Sequence, residues 1–287
     1  MKKLVLLFLL ILLVSCAQQD KVASLPDNEF LIIAHRGASA YAPEHSLLSY
    51  ELAVQMQADY IELDVHRTQD KELVALHDRF IELGNDKQAI ADTTFKQLKA
   101  IQRKASQRKK IPVTMQTDID PLRIVSTEEV FSHFKDDVNY YIELKTPSTY
   151  PGIEKTLLQQ LRDNNLLQQG NGFPTVILQS FDGDALKEIH KEEPSIPLIQ
   201  LYSEKNESML TKSHLRKVAK YASGIGVDEK IVTKELVDRA HAAGLHVHPF
   251  TVNDKDAIRR MIELQVNGIF TDVPDVAVEV LKEMNVE

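Results

Sequence analysis

The sequence has one cysteine, Cys16, in 287 residues, so it can close no disulfide of its own. It has little long apolar sequence. The run Leu4 to Val14 is eleven residues, short of the about 20 that span a bilayer as a mature helix. Positive charge is also in deficit, with 34 Lys and Arg against 42 Asp and Glu for a net −8. A phosphate backbone needs a basic surface, so this balance argues against nucleic acid as a partner. Neither G-x-G-x-x-G nor G-x-x-x-x-G-K-[ST] occurs, which removes the phosphate cradles of open nucleotide-binding sheets. What is present, 43% hydrophobic and 26% charged residues, excludes a disordered or fibrous chain. It is enough to bury the core of one large barrel or two small domains.

Lys2-Lys3, the apolar run and Ser15-Cys16 follow the order of a secretion signal. Leu13-Val14-Ser15-Cys16 resembles a bacterial lipobox, in which the signal is cut before the cysteine and the cysteine carries the lipid. Residues 1–15 are therefore expected to be a signal peptide, Cys16 the lipidated residue, and 16–29 a flexible tether. Cleavage removes two lysines and leaves 32 basic side chains against 42 acidic ones, a balance of −10. The expected location is outside the inner membrane, anchored by lipid. In a cell with two membranes the outer one is expected, because Ala17 stands where an aspartate is associated with inner-membrane retention.

Beyond the tether, short β-like runs alternate with amphipathic helical patterns. Strands are predicted at Phe30 to Ala34, Tyr60 to Val65, Leu73 to Leu76, Tyr140 to Leu144, Thr175 to Leu178, Leu198 to Leu201, Gly224 to Val227, His246 to Thr251 and Gly268 to Thr271. Helices fall between them, among them Ser46 to Gln57, Glu207 to Tyr221 and Asp275 to Met284. About eight such units in roughly 260 residues predict an α/β fold, a (β/α)8 TIM barrel over 30–287. Gly84 to Arg123 breaks the rhythm and is read as an insertion over one end of the barrel, its basic cluster from Arg103 to Lys110 a solvated face.

Side chains alternate along Tyr60 to His66, so Glu62, Asp64 and His66 share one face and Ile61, Leu63 and Val65 the other. Carboxylates crowded on an inward face repel each other and are costly to desolvate, so they call for a counter-charge. With Glu143 as a third, and no cysteine nearby, the donor set suits one divalent cation, Ca²⁺ or Mg²⁺. His35 and His77 each end an apolar run, where barrel enzymes place catalytic groups, and imidazole moves protons near neutral pH. Arg36 offers a planar fork that matches a phosphate, and Lys145 adds a point charge. Metal, cations and paired histidines together point to phosphodiester cleavage.

His35-Arg36-Gly37, Pro43-Glu44, Glu62-x-Asp64, His77-Asp78 and Ile142-Glu143-Leu144-Lys145 resemble, in order and spacing, the glycerophosphodiester phosphodiesterase family. Gln179-Ser180-Phe181, Thr251-Val252-Asn253 and the stretch Asn267 to Pro274 extend the resemblance from Leu31 to the C terminus. It implies a (β/α)8 barrel, Glu62, Asp64 and Glu143 as metal ligands, and His35 and His77 as acid and base. Arg36 and Lys145 would contact phosphate, and Glu44 would line the same site. The implied reaction releases glycerol 3-phosphate and an alcohol through a cyclic phosphate.

The chain departs from the family pattern at His45-Ser46, where Asn-Thr is usual, and at Phe250, where tryptophan is common. It departs again after Asp78, where the segment reads RFIELGND. Ser46 can still cap a helix and Phe250 still form an apolar wall of the substrate site. His45 is expected on the surface at a helix end, with a third titrating group near the substrate as the alternative, His246 and His248 in packing, and His133, His190, His214 and His241 on exposed helix faces. Two rivals remain: a related barrel phospholipase acting on intact lipid or polymeric glycerol phosphate, and a non-catalytic surface lipoprotein that binds anions.

Overall fold

The computed structural model describes residues 22–26, 29–83, 86–101, 122–167 and 173–286. The expected signal peptide, Cys16, most of the tether and the basic part of the 84–123 segment lie outside the described residues. The chain enters the barrel as β1 (Leu31–Ala34), α1 (Leu47–Gln55) and β2 (Tyr60–Arg67). Before the next barrel strand come β3 (Leu73–Ala75), a hairpin of β4 (Phe80–Leu83) and β5 (Asp86–Ala89), and the helices α2 (Phe95–Lys99) and α3 (Thr127–Phe134). Strand and helix then alternate: β6 (Asn139–Leu144), α4 (Ile153–Asp163), β7 (Val176–Ser180), α5 (Gly183–Glu192), β8 (Leu198–Tyr202) and α6 (Lys212–Val218). The chain ends with β9 (Gly224–Asp228), α7 (Lys234–His241), β10 (His246–Phe250), α8 (Lys255–Glu263), β11 (Gly268–Thr271) and α9 (Pro274–Met284).

Eight strands, β1, β2 and β6 to β11, run parallel around a nearly closed barrel with helices between them, the (β/α)8 architecture expected. At the seam between β10 and β11 the backbone N–H of Asn267 donates to Val247 O (3.0 Å) and that of Val252 to Phe270 O (2.8 Å).

Strand alternation divides the residues into two layers. Ile32, Ala34, Ile61, Leu63, Val65 and Ile142 point outward into the core shared with the helices. Leu31, Ile33, Tyr60, Tyr141, Ile177 and Ile199 point inward and fill the N-terminal end of the barrel. Two residues further along the same inward faces stand His35, Glu62, Glu143, Gln179 and Leu201, and Asp64 follows Glu62 on β2. The barrel interior is thus packed and apolar at the bottom and ionisable at the top. Leu25, 5% exposed, joins the bottom cluster, and Ser223 Oγ donates to Ala23 O at 2.7 Å.

Two elements differ from expectation. The strand expected from Leu73 to Leu76 forms over Leu73–Ala75, but this β3 runs antiparallel to β2, with Val65 opposite Ala75, and so is not one of the barrel's parallel staves. The helix expected from Glu207 to Tyr221 is instead a 3-10 turn over Glu204–Met209 followed by the shorter α6. Ser203 with Asn206, and Thr211 with His214, each make a local cap there, and such bonds compete with a continuous helix. The described residues between β2 and β6 carry a small core of their own, in which Val74, Leu76, Ile90, Leu98 and Ile124 are buried together.

Candidate active site

Arg36 (φ +58°) and Gly37 (φ +82°) turn the chain sharply at the end of β1. A Cβ at Gly37 would fall 2.7 Å from the Ser49 backbone carbon, so only glycine lets α1 approach this closely. The turn leaves the Arg36 N–H donating to Glu62 Oε2 at 2.8 Å. The Arg36 Nη1 pairs with Glu44 Oε2 at 2.7 Å, while Nε lies 3.4 Å from Asp64 Oδ2 without hydrogen-bond alignment. Strand β2 lies beside β6 with Asp64 opposite Glu143, which brings the carboxylates of two strands together. Lys145 Nζ sits between them, 3.5 Å from Asp64 Oδ1 and 3.1 Å from Glu143 Oε1.

These carboxyls titrate apart. Burial, then the charges of Asp64 and Glu143, push Glu62 well above the ordinary carboxyl range. Burial and Asp64 raise Glu143 to about 8. Burial works the same way on Asp64, but the hydrogen bond and charge from His45, then Lys145 and Arg36, outweigh it and hold Asp64 well below its usual value.

His35 Nδ1 lies 2.7 Å from Asp272 Oδ1. Asp272 also accepts from Ser39 Oγ (2.9 Å) and Asn253 Nδ2 (2.6 Å). Burial raises the Asp272 carboxyl, yet these partners, His35 first, bring it below the usual range, so it stands as an anion that fixes the ring. His77 reaches the mouth because β3 turns back along β2, not as the end of a parallel strand. Its Nδ1 is 3.0 Å from Asp78 Oδ1. Burial lowers its pKa, as do the charges of Arg36 and Lys145, which favours the neutral ring.

His35, Arg36, Glu62, Asp64, His77, Glu143, Lys145 and Phe250 line one cavity of about 190 Å³. Glu44 does not line it and acts through Arg36. The Phe250 ring forms part of the wall, edge-on to Phe181 at 6.2 Å and to Phe270 at 6.3 Å. Gln179, Phe181, Leu201, Thr251 and Phe270 complete the lining. Gln179 and Phe181 stood in a motif without an assigned role, as did Asp272 and Asn253. Phe270 and Thr251 likewise stood in quoted motifs without a role, whereas Leu201 looks like an ordinary strand residue that no sequence signal distinguishes.

His45 is the clearest correction. It is not on the surface but 0% exposed, its Nδ1 2.9 Å from Tyr50 OH and its Nε2 3.0 Å from Asp64 Oδ2. With φ +51° it turns its ring under the site while Ser46 caps α1. His248 is buried against Tyr141 OH at 2.9 Å, a packing role as expected. Of the helix histidines expected to be exposed, His133 and His241 are exposed, whereas His190 and His214 are half-buried.

His45, Glu62 and Asp64 each present a ligand atom within 4.8 Å of the others. Among the described residues Gln179 Oε1 is a buried acceptor with no hydrogen-bond partner, while its Nε2 donates to Glu62 Oε1 at 3.3 Å. Crowded carboxyls held above their usual pKa beside an unused oxygen acceptor fit a hard divalent cation.

Cations able to hold an anion, imidazoles able to move protons beside it, and a carboxylate nest suited to a divalent ion meet where the anion is a phosphoryl group. On this barrel they define an enzyme of the phosphodiester hydrolase class. The chain belongs to the Glycerophosphoryl diester phosphodiesterase family, whose profile matches residues 35–276. It is 36% identical over 270 residues to a glycerophosphodiester phosphodiesterase of Bacillus subtilis, covering 94% of this chain and 92% of that one. Its fold is shared with a glycerophosphodiester phosphodiesterase of Parabacteroides distasonis (TM-score 0.71, 23% identity, 91% of this chain and 100% of the other). It is also shared with an Oleispira antarctica phosphodiesterase solved with the product sn-glycerol-3-phosphate (TM-score 0.69, 21% identity, 90% and 97%).

Proposed function

We propose that the chain hydrolyses glycerophosphodiesters, the deacylated phospholipids, to glycerol 3-phosphate and an alcohol, with His35 and His77 exchanging the protons. The observation that carries this reading is that both imidazoles line one small cavity with Arg36 and Lys145. Arg36 and Lys145 hold the phosphate oxygens. One imidazole takes the proton of the glycerol 2-hydroxyl as its oxygen attacks phosphorus, and the other protonates the departing alcohol oxygen. The two exchange roles when water opens the cyclic phosphate. Asp272 keeps His35 oriented throughout.

Glu62, Asp64 and Glu143 are the residues we assign to one divalent cation, Ca²⁺ or Mg²⁺. When bound, that ion polarises the phosphoryl group and offsets the charge that develops on it. Glu143 lines the cavity whereas His45 does not, and both His45 nitrogens already face partners, so His45 is placed behind Asp64 as its positioning residue. The glycerol 3-phosphate named in the Oleispira complex agrees with the product. Lipid on Cys16 and an extracytoplasmic location belong to the same reading, carried by the N-terminal sequence alone.

The test is release of glycerol 3-phosphate from a panel of glycerophosphodiesters by the full chain, stripped with chelator and resupplied with Ca²⁺ or Mg²⁺. Turnover restored by either ion is expected. Silence with both, or turnover untouched by the chelator, rejects the assignment.

A further inference from the structure

Beside the catalytic cavity lies a larger groove of about 620 Å³ over the C-terminal ends of β6 and β7. The two share Glu143, Lys145 and Phe181. A diester whose phosphate lies against Lys145 therefore has one of its two substituents at the groove's entrance. We propose that this groove receives the alcohol half of the diester and favours an alcohol bearing a cationic ammonium group, an inference that rests on the phosphodiesterase reading above.

The lining decides the class of alcohol. Phe181 is 47% exposed and meets Phe250 edge-on at 6.2 Å, which leaves aromatic surface for a ligand. Asp182 follows it. Its Oδ1 caps α5, accepting from the N–H groups of Asp184 (3.0 Å) and Ala185 (3.2 Å). Among the described residues its Oδ2 has no hydrogen-bond partner. The neighbouring Asp184 is paired with Lys187 at 2.7 Å. Lys145, the only cation among the lining residues, is engaged by Asp64 and Glu143.

An ammonium group set against an aromatic ring and a carboxylate gains from both. An alcohol carrying a carboxylate meets Asp182 instead. The Ser180 hydroxyl already donates to Leu144 O and accepts from the Asp182 N–H, so a polyol would have the Thr146 and Ser148 hydroxyls as its neutral side-chain partners and would leave the Asp182 charge uncompensated. Leu144 and Pro147 add apolar wall.

Two variants isolate the two contacts. Asp182→Asn keeps the helix cap, since asparagine caps as well as aspartate, and removes only the charge. Phe181→Leu keeps apolar bulk and removes the ring. The experiment measures kcat/KM of the full chain for glycerophosphocholine and for glycerophosphoglycerol. In each variant the choline-to-glycerol ratio is expected to fall about tenfold, of the size a desolvated cation–aromatic contact commands. Free choline should compete with glycerophosphoglycerol in the parent and lose that competition in Asp182→Asn. Unchanged ratios in both variants overturn the subsite and leave the phosphodiesterase reading intact. A parent that cleaves neither diester overturns that reading and the subsite with it.

Discussion

Glu62 and Asp64 stand two residues apart on one face of β2, yet their surroundings drive them in opposite directions. Burial raises both, and the like charges of Asp64 and Glu143 add to the rise at Glu62, whereas His45, Lys145 and Arg36 outweigh it at Asp64. That division suits a site with one firm anion and neighbours ready to give up protons to an incoming cation. Replacing His35 or His77 by alanine is expected to cut kcat at least about 100-fold, the lower range for a positioned acid or base. Calorimetry should find metal affinity retained in both, because neither ring is assigned to the cation, whereas Glu62→Ala weakens it. Full turnover in either histidine variant would contradict the acid–base roles.

Between elements, the junction of β1 and β2 carries a half-buried charge. Asp59 Oδ2 accepts the Ile32 N–H at 2.7 Å. Burial raises its pKa from 3.8 to about 6, the Ile32 bond opposing and Glu29 adding to the rise. A folded value above the unfolded one means that its stabilisation is complete below pH 3.8 and is lost as pH climbs through 6. Asp59→Asn keeps an acceptor for Ile32 and has no charge to desolvate. Its stability should therefore gain on the parent by about 2 kcal/mol between pH 4 and pH 7, allowing for partial solvent access. Denaturant melts at the two pH values measure this, and a gap that does not widen with pH would show that the charge is not strained. The same scale explains His77, which reaches the mouth on the antiparallel return of β3.

Across the whole molecule, the barrel is closed at the bottom by chain from outside it. Leu25 packs among Leu31, Ile33 and Tyr60, and Ala23 O accepts from Ser223 Oγ. Leu25→Ala should cost about 2 kcal/mol, the low end for truncating a buried leucine. Because the site lies at the opposite end of the strands, kcat/KM should hold while the melting temperature falls. Unchanged stability would mean that Leu25 contributes nothing to closing the barrel.

Much of this was legible in the chain itself. Eight of the nine predicted strands are the parallel staves, legible from the alternation of strand and helix patterns, and the inward Glu62–Asp64 pair follows from period-two patterning, which needs only neighbouring residues. His35, Arg36, Glu143 and Lys145 were readable because strand ends are where a barrel gathers its chemistry. Other facts were decided only when distant segments met. His45 is buried because a left-handed turn swings it under Asp64. Asp272 and Asn253 brace His35 from the far end of the sequence. The groove beyond Phe181 exists only between two loops. Local sequence carries hydrophobic period and capping, whereas burial, pKa and cavity shape depend on which side chains arrive from elsewhere, and only the closed barrel determines that.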